Sequence, residues 1–316
     1  MEKFKQNLLT ILEDLCRDNG TKVTTIDIVK HNDISRKAIC LTPADSSVGT
    51  NYYVDDLLKQ YEAGSTLTEI ASNILEHNRS TPLFADTSLI NPFISNLSSY
   101  DYVKDNLSVR LLNLSINSKY LSDKVYKPYL EMNGSYEFAI SLCIYVPESK
   151  DEHGIITVTH RLREMWTDVT DEELFEIALQ NTEKNCGCRI RTMLEVLTNL
   201  AEEADVIEAL DNISKEPTMY VMTNNHSLHG ASCILFSDAL KQFADEKECN
   251  LFIIPSSIHE MLIILDDGTV DTSQIKSIIS DVNQTAVTKS DFLSNELLYY
   301  SRSANTVSIY ETHMRD

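Results

Sequence analysis

Basic residues are scarce in this chain: 27 Lys and Arg stand against 48 Asp and Glu, a formal balance of -21 at pH 7. A field of that sign repels phosphate backbones and anionic lipid headgroups, so direct binding to nucleic acid or to a membrane surface is not expected. Glycine and proline are few as well, 8 and 7 in 316 residues, and 42% apolar content with 24% charge is the make-up of an ordered globular chain. No apolar run approaches the length that spans a bilayer. The opening MEKFKQNLLTILEDLC has acids close behind its apolar run and no small-residue cleavage site, so it is not expected to be a secretory signal. There is no P-loop, no G-x-G-x-x-G after a strand, no H-E-x-x-H, no G-x-S-x-G and no kinase signature. The common nucleotide-dependent chemistries are thereby set aside, and no cofactor is expected. The seven cysteines are odd in number and scattered through apolar surroundings, which reads as reduced, buried thiols of a cytoplasmic protein.

What is present is strong local patterning. Phe4, Leu8, Ile11, Leu12 and Leu15 share one helical face, and Asn19-Gly20 supplies a stop. Residues 22–42 alternate about a polar turn at His31-Asn32-Asp33, the pattern of a hairpin. Thr66-Leu67-Thr68-Glu69 and Thr170-Asp171-Glu172-Glu173 both match capping boxes, in which a hydroxyl and a carboxylate satisfy the exposed amides of a helix start. Residues 109–112 and 136–146 read as strands, with 154–161 returning as the partner of the second. Apolar residues from 193 to 210 keep helical spacing, and the outer face carries Glu202, Glu203, Asp205 and Glu208. Beyond Pro217 the pattern predicts strand 219–223, a turn, strand 231–236, a helix over 237–245, and strands 251–254 and 261–265. A helix capped by Asp271 and a closing strand pair complete it.

Strands in adjacent pairs followed by single helices predict the α+β class, with antiparallel sheets and helices packed on one face. A doubly wound parallel sheet would alternate its strands singly with helices. The division expected is an N-terminal lobe over 1–190, an acidic helix and connection over 191–217, and a C-terminal lobe over 218–316.

Met219-Tyr220-Val221 with Thr223-Asn224, Gly230-Ala231-Ser232, and Pro255-Ser256-Ser257-Ile258-His259-Glu260 are distinctive. In these motifs, and in the Tyr-rich turn at Asn51-Tyr52-Tyr53, the chain resembles a family of uncharacterised proteins widespread in anaerobic Gram-positive bacteria. The resemblance covers most of the chain and implies no activity, since that family has no assigned function.

Polar residues gather where the strands of 219–268 turn. Ser256, Ser257, His259 and Glu260 share one turn, and Asn224 and Gly230 lie in another that would have to come alongside it. A hydroxyl, a base and a carboxylate are the residue types of nucleophilic catalysis. The competing reading is a turn held by Pro255 in which these side chains satisfy the backbone. His226, His229 and Cys233 have the spacing H-x-x-H-x-x-x-C, and with His259 they would make a tetrahedral zinc set; ordinary turn histidines and a buried thiol are the alternative. Cys186-Gly187-Cys188 has no second pair at zinc-ribbon spacing and reads as a helix end.

Two functions are open on this evidence. The first is a non-enzymatic binding protein whose acidic surface, with Glu202, Glu203, Asp205 and Glu208 foremost, docks a basic protein; its sharper form is an inhibitor that mimics nucleic-acid charge. The second is a hydrolase or small-ligand binder built on Ser256, Ser257, His259 and Glu260.

Overall fold

In this computed structural model the described residues are 1–44, 49–80, 93–146, 154–200 and 219–311. The chain forms two compact units, Met1–Tyr102 with Val146–Gly154, and Val103–Tyr145 with Ile155–Asp316. Of the connection expected over 191–217, residues 201–217 lie outside the described residues.

In the first unit, helix α1 (Glu2–Cys16) buries Phe4, Leu8 and Leu12 of the predicted face together with Leu9, whereas Ile11 is half-buried and Leu15 is exposed. Strands β1 (Lys22–Val29) and β2 (Ser35–Thr42) pair antiparallel from Lys22↔Thr42 to Val29↔Ser35, and β3 (Thr50–Tyr53) joins β2. The turn between β1 and β2 places Asn32 and Asp33 at φ 57° and 51°, the left-handed region that short polar side chains tolerate. Helix α2 (Val54–Glu62) follows. Helix α3 (Leu67–Ser80) starts at the predicted box: the Glu69 amide donates to Thr66 Oγ1 at 3.2 Å, and the Thr66 amide donates to the Glu69 carboxylate at 2.7 Å. Leu8, Leu12, Leu57, Ile70 and Ile74 pack with Ile39 and Leu41 of β2, so the helices cover the face of the sheet that carries those two residues.

The second unit holds two sheets. In one, β4 (Leu107–Asn113), β6 (Ser135–Val146) and β5 (Tyr126–Met132) lie in that order, and β7 (Gly154–Thr157) also pairs with β6. The strand predicted to run to 161 stops at Thr157, because Thr159 caps a helical turn over His160–Arg163 by accepting the Leu162 amide at 3.2 Å. Helix α4 (Asp171–Cys186) begins at the second predicted capping box and packs on β4, where Thr182 Oγ1 lies 2.8 Å from Ser108 Oγ and accepts the Val109 amide.

The other sheet has the order β13-β12-β10-β11-β9-β8. Its strands are β8 (Arg189–Thr192), β9 (Met219–Thr223), β10 (Asn250–Ile254), β11 (Met261–Asp266), β12 (Leu298–Ser301) and β13 (Thr306–Ile309). Every described pairing within it is antiparallel. Phe252, Ile254, Leu262 and Ile264 face Ile275 and Ile279 of helix α7 (Thr272–Thr285), whereas Leu251, Ile253, Met261 and Ile263 face a second apolar layer that includes Leu240 and Phe243 of helix α6 (Ser237–Lys247). Burial on both faces explains why β10 and β11 read as continuous apolar runs rather than as alternation. Helix α5 (Met193–Leu200) opens at a third capping box, Thr192 with Glu195. Glu202, Glu203, Asp205 and Glu208 lie outside the described residues.

One element differs in kind. Residues 231–235 of the strand predicted over 231–236 belong instead to a 3-10 helix over Gly230–Leu235. Its residues 230–234 are buried, and a short segment buried on all sides has no polar face to reveal its period.

Candidate functional site

The two polar loops of the C-terminal motifs do lie side by side. β9 runs into Asn224, which is 1% exposed and organises the turn that follows. Its Nδ2 donates to Leu228 O at 2.8 Å, and its Oδ1 accepts the amides of His226 and Leu228 at 3.0 and 3.4 Å. Ser227 and His229 hold φ near +54° and +55°, and Arg189 of β8 donates to Ser227 Oγ at 2.8 Å. The chain then enters Gly230, where no side chain fits: a Cβ would stand 2.1 Å from Thr223 Oγ1, 2.5 Å from His259 O and 2.7 Å from the Asn224 amide nitrogen.

The second loop leaves β10 at Pro255 and enters β11 at Met261. Thr223 Oγ1 donates to His259 O at 2.8 Å, and the Ala231 amide donates to Ile258 O at 3.2 Å. On its other side the loop is clamped by 291–294. The Ile258 amide donates to Asp291 O, the Leu293 amide to Ser256 O and the Ser294 amide to Pro255 O, at 2.8, 3.0 and 2.9 Å. Ser294, fully buried, donates from Oγ to the Glu137 carboxylate of β6 at 2.6 Å. Burial is the main influence on that carboxyl and raises it above the ordinary Glu range, against the hydrogen bonds from Ser294 and Asn113 that lower it.

His259 sits at the centre of this junction. Its Nδ1 accepts the His229 amide at 3.2 Å, its Nε2 lies 3.5 Å from Asp291 Oδ1, and its ring is 5.5 Å from that of His229. An imidazole nitrogen that accepts an amide proton carries its lone pair there, so the neutral ring bears its own proton on Nε2, toward Asp291. Asp291 also accepts from Thr288 Oγ1 at 2.7 Å and from Ser290 Oγ at 3.2 Å. Ser257 Oγ accepts the amide of His259 at 3.0 Å. Ser256, Ser257, Glu260 and Asp291 together line a hollow of about 180 Å³, into which the ring of His259 does not project.

The structure therefore unites Asn224, Gly230, Ser256, Ser257 and His259, and it adds two residues that sequence reasoning missed. Asp291 lies some thirty positions on, in a polar segment without a motif. Thr223 belongs to the Thr223-Asn224 motif, but as the last residue of a strand, where a hydroxyl is commonplace, it gave no sign of its bond to the other loop. The metal set is not assembled. His226 is exposed, while Cys233, carried by the 3-10 helix, donates its thiol to Gly187 O at 3.6 Å. Among the described residues no three His, Cys, Asp or Glu side chains converge to hold a metal ion. The Cys233 thiol is fully buried, and its pKa is pushed up first by the Cys188 thiol beside it and then by burial. Helix α4 ends at Cys186, and Gly187 takes the positive φ of 62° that the break requires. Trp166 is a core residue, 1% exposed.

Fold and site together define an α+β protein in which two polar loops, 224–230 and 255–260, build a junction. No helix among the described residues is long and apolar enough to cross a membrane. The family model of DUF5688, a family of unknown function, matches residues 1–302, and the chain belongs to that family. No curated protein and no solved structure matches it.

Proposed function

We propose that this protein works by binding, with a basic protein as its partner. The excess of 48 acidic over 27 basic residues carries this reading, because charge of that size steers oppositely charged surfaces together and keeps phosphate polymers away. Described carboxylates contribute to it directly: Asp171, Glu172, Glu173, Glu176 and Glu183 of α4 are exposed. The sharper form is an inhibitor that occupies the nucleic-acid groove of a basic enzyme by presenting carboxylates in place of phosphates. The test is affinity capture at about 50 mM and about 500 mM salt, since screening removes long-range attraction at the higher value. Retained proteins should be predominantly basic, should elute as salt rises, and should include enzymes of nucleic acid whose activity the protein suppresses. Retention with no bias toward basic proteins would sink the proposal.

The junction at His259 favours binding over hydrolysis. A general base needs a free nitrogen within reach of the hydroxyl it activates, and both ring nitrogens of His259 face protein groups. One observation supports a second reading, small-ligand binding in the hollow beside this loop. Ser256 Oγ is buried and finds no hydrogen-bond partner among the described residues, although it lines a space shared with Glu260 and Asp291. Turnover of esters or amides that disappears in His259→Ala while the fold persists would restore the hydrolase.

A further inference from the structure

A second and larger hollow lies elsewhere in the same unit, where α4, β5, the 3-10 helix and β13 meet around a cleft of about 490 Å³. Its walls include Ile140, Leu179, Leu235 and Val307, all packed only in part against the core behind them. Folded interiors are close-packed, and an apolar wall without a facing partner forfeits both dispersion contacts and burial. Concave apolar spaces of roughly 300–1,000 Å³ with a few polar groups are the usual form of a small-molecule site.

Two of the three charged side chains on the lining are acidic. Glu172 and Glu176 stand one helical turn apart on α4, and neither has an ion-pair partner among the described residues. Like charges at this spacing destabilise a helix, and a cation held against both relieves the repulsion. Tyr129, Phe175 and Tyr300 add three aromatic rings to the lining. The negative faces of such rings attract organic ammonium ions, most strongly in sites shielded from water. Burial pushes the Tyr129 phenol up to about 12, so that ring stays neutral. Lys127 is the one opposing charge on the lining; it is exposed on β5, and the carboxylates outnumber it.

We propose that this cleft binds a small organic ammonium ion with an apolar body, the body filling the space between Leu179, Leu235 and Val307 and the cation lying against Glu172 and Glu176. The site is separate from the loop junction and does not depend on a basic protein partner. The probes are phenylbutylamine, phenylbutanol and phenylbutanoate, titrated calorimetrically into the full chain. The amine should bind at least about tenfold more tightly than the alcohol, and the carboxylate should bind weakest. The Glu172→Gln, Glu176→Gln double variant should bring the amine down to the level of the alcohol and leave the alcohol unchanged. Leu179→Trp should fill the cleft and abolish binding of all three; if that variant does not fold, Leu235→Phe serves in its place. Equal affinity for the three probes, tightest binding of the carboxylate, no saturable binding, or undiminished binding by the folded cavity-filled variant would each overturn the proposal.

Discussion

The loop junction around His259 and the cleft beside α4 are opposites in how they use their residues. At the junction polar side chains crowd together in the sequence, and most of them turn out to be spent on the backbone. Asn224 ties its own turn, Thr223 and His259 tie the two loops to each other, and Ser257 holds the amide two residues on. In the cleft no stretch of sequence stands out, yet apolar residues from elements far apart in the chain leave a space unfilled. Dense polar motifs thus mark where two strand ends must be joined with their backbone groups satisfied, whereas room for a ligand arises from the way distant elements pack.

The hardest way to break this contrast is Gly230→Ala. The new methyl would meet one hydroxyl and two backbone atoms, all under 3.0 Å and none at the end of a flexible chain. Overpacking of that kind is expected to destabilise by about 3 kcal/mol or more, read as a lower urea midpoint at unchanged slope. A loss within about 1 kcal/mol would mean that the loops part easily and that the junction is looser than these distances imply. Next comes Asn224→Ala, which removes a buried side chain with its three hydrogen bonds to the turn and leaves the Leu228 carbonyl without its donor. The expected loss is about 2–3 kcal/mol in the same measurement. Near-wild-type stability would transfer this residue from scaffold to ligand site.

The cleft supplies the matching experiment on the other side. Leu235→Ala deletes a side chain that already lacks partners on one face, so its expected effect is only about 1 kcal/mol, well below the usual loss for a buried leucine. A thermal melt of this variant beside Leu251→Ala, whose side chain is fully buried in the same unit, checks the difference. Equal losses would show that the cleft wall is packed like the core, and the contrast would fail.

Much of the fold is legible in the sequence because its signals are local. The capping boxes at Thr66 and Thr170 appear with the predicted hydrogen bonds, and the hairpin at 22–42 has its turn where His31-Asn32-Asp33 places it. The segment 230–235 misleads because Ala231, Ser232, Cys233 and Ile234 are all enclosed, so nothing in their pattern separates a 3-10 turn from a buried strand. The candidate site is half legible. Its two loops are visible as polar turns, and their meeting across β9 and β11 follows from antiparallel pairing of Met222 with Met261. What the residue types could not convey is direction: a Ser, a His and a carboxylate on adjoining turns look like chemistry until the His259 nitrogens are seen facing His229 and Asp291.

Glu137 gives the smallest effect and sharpens the view of the junction as structure. Its carboxyl, raised mainly by burial, holds Ser294 and Asn113 from behind the clamp on the 255–260 loop. A native pKa above the unfolded one means that the folded state keeps this proton over a range where the unfolded chain has lost it. The contribution to stability is whole below the unfolded value and is lost as pH rises through the native one. At neutral pH the group is therefore a charge held in an unfavourable place, and Glu137→Gln, whose amide oxygen can still accept from Ser294, should leave stability equal or slightly higher. The gain should stay under about 1 kcal/mol, because solvent reaches the group and screens it. Urea midpoints taken at intervals from about pH 4 to pH 7 should show the variant losing less stability than the parent as pH rises. Parallel curves would mean that the charge is already satisfied where it sits, and the junction would then tolerate a carboxylate at its back without cost.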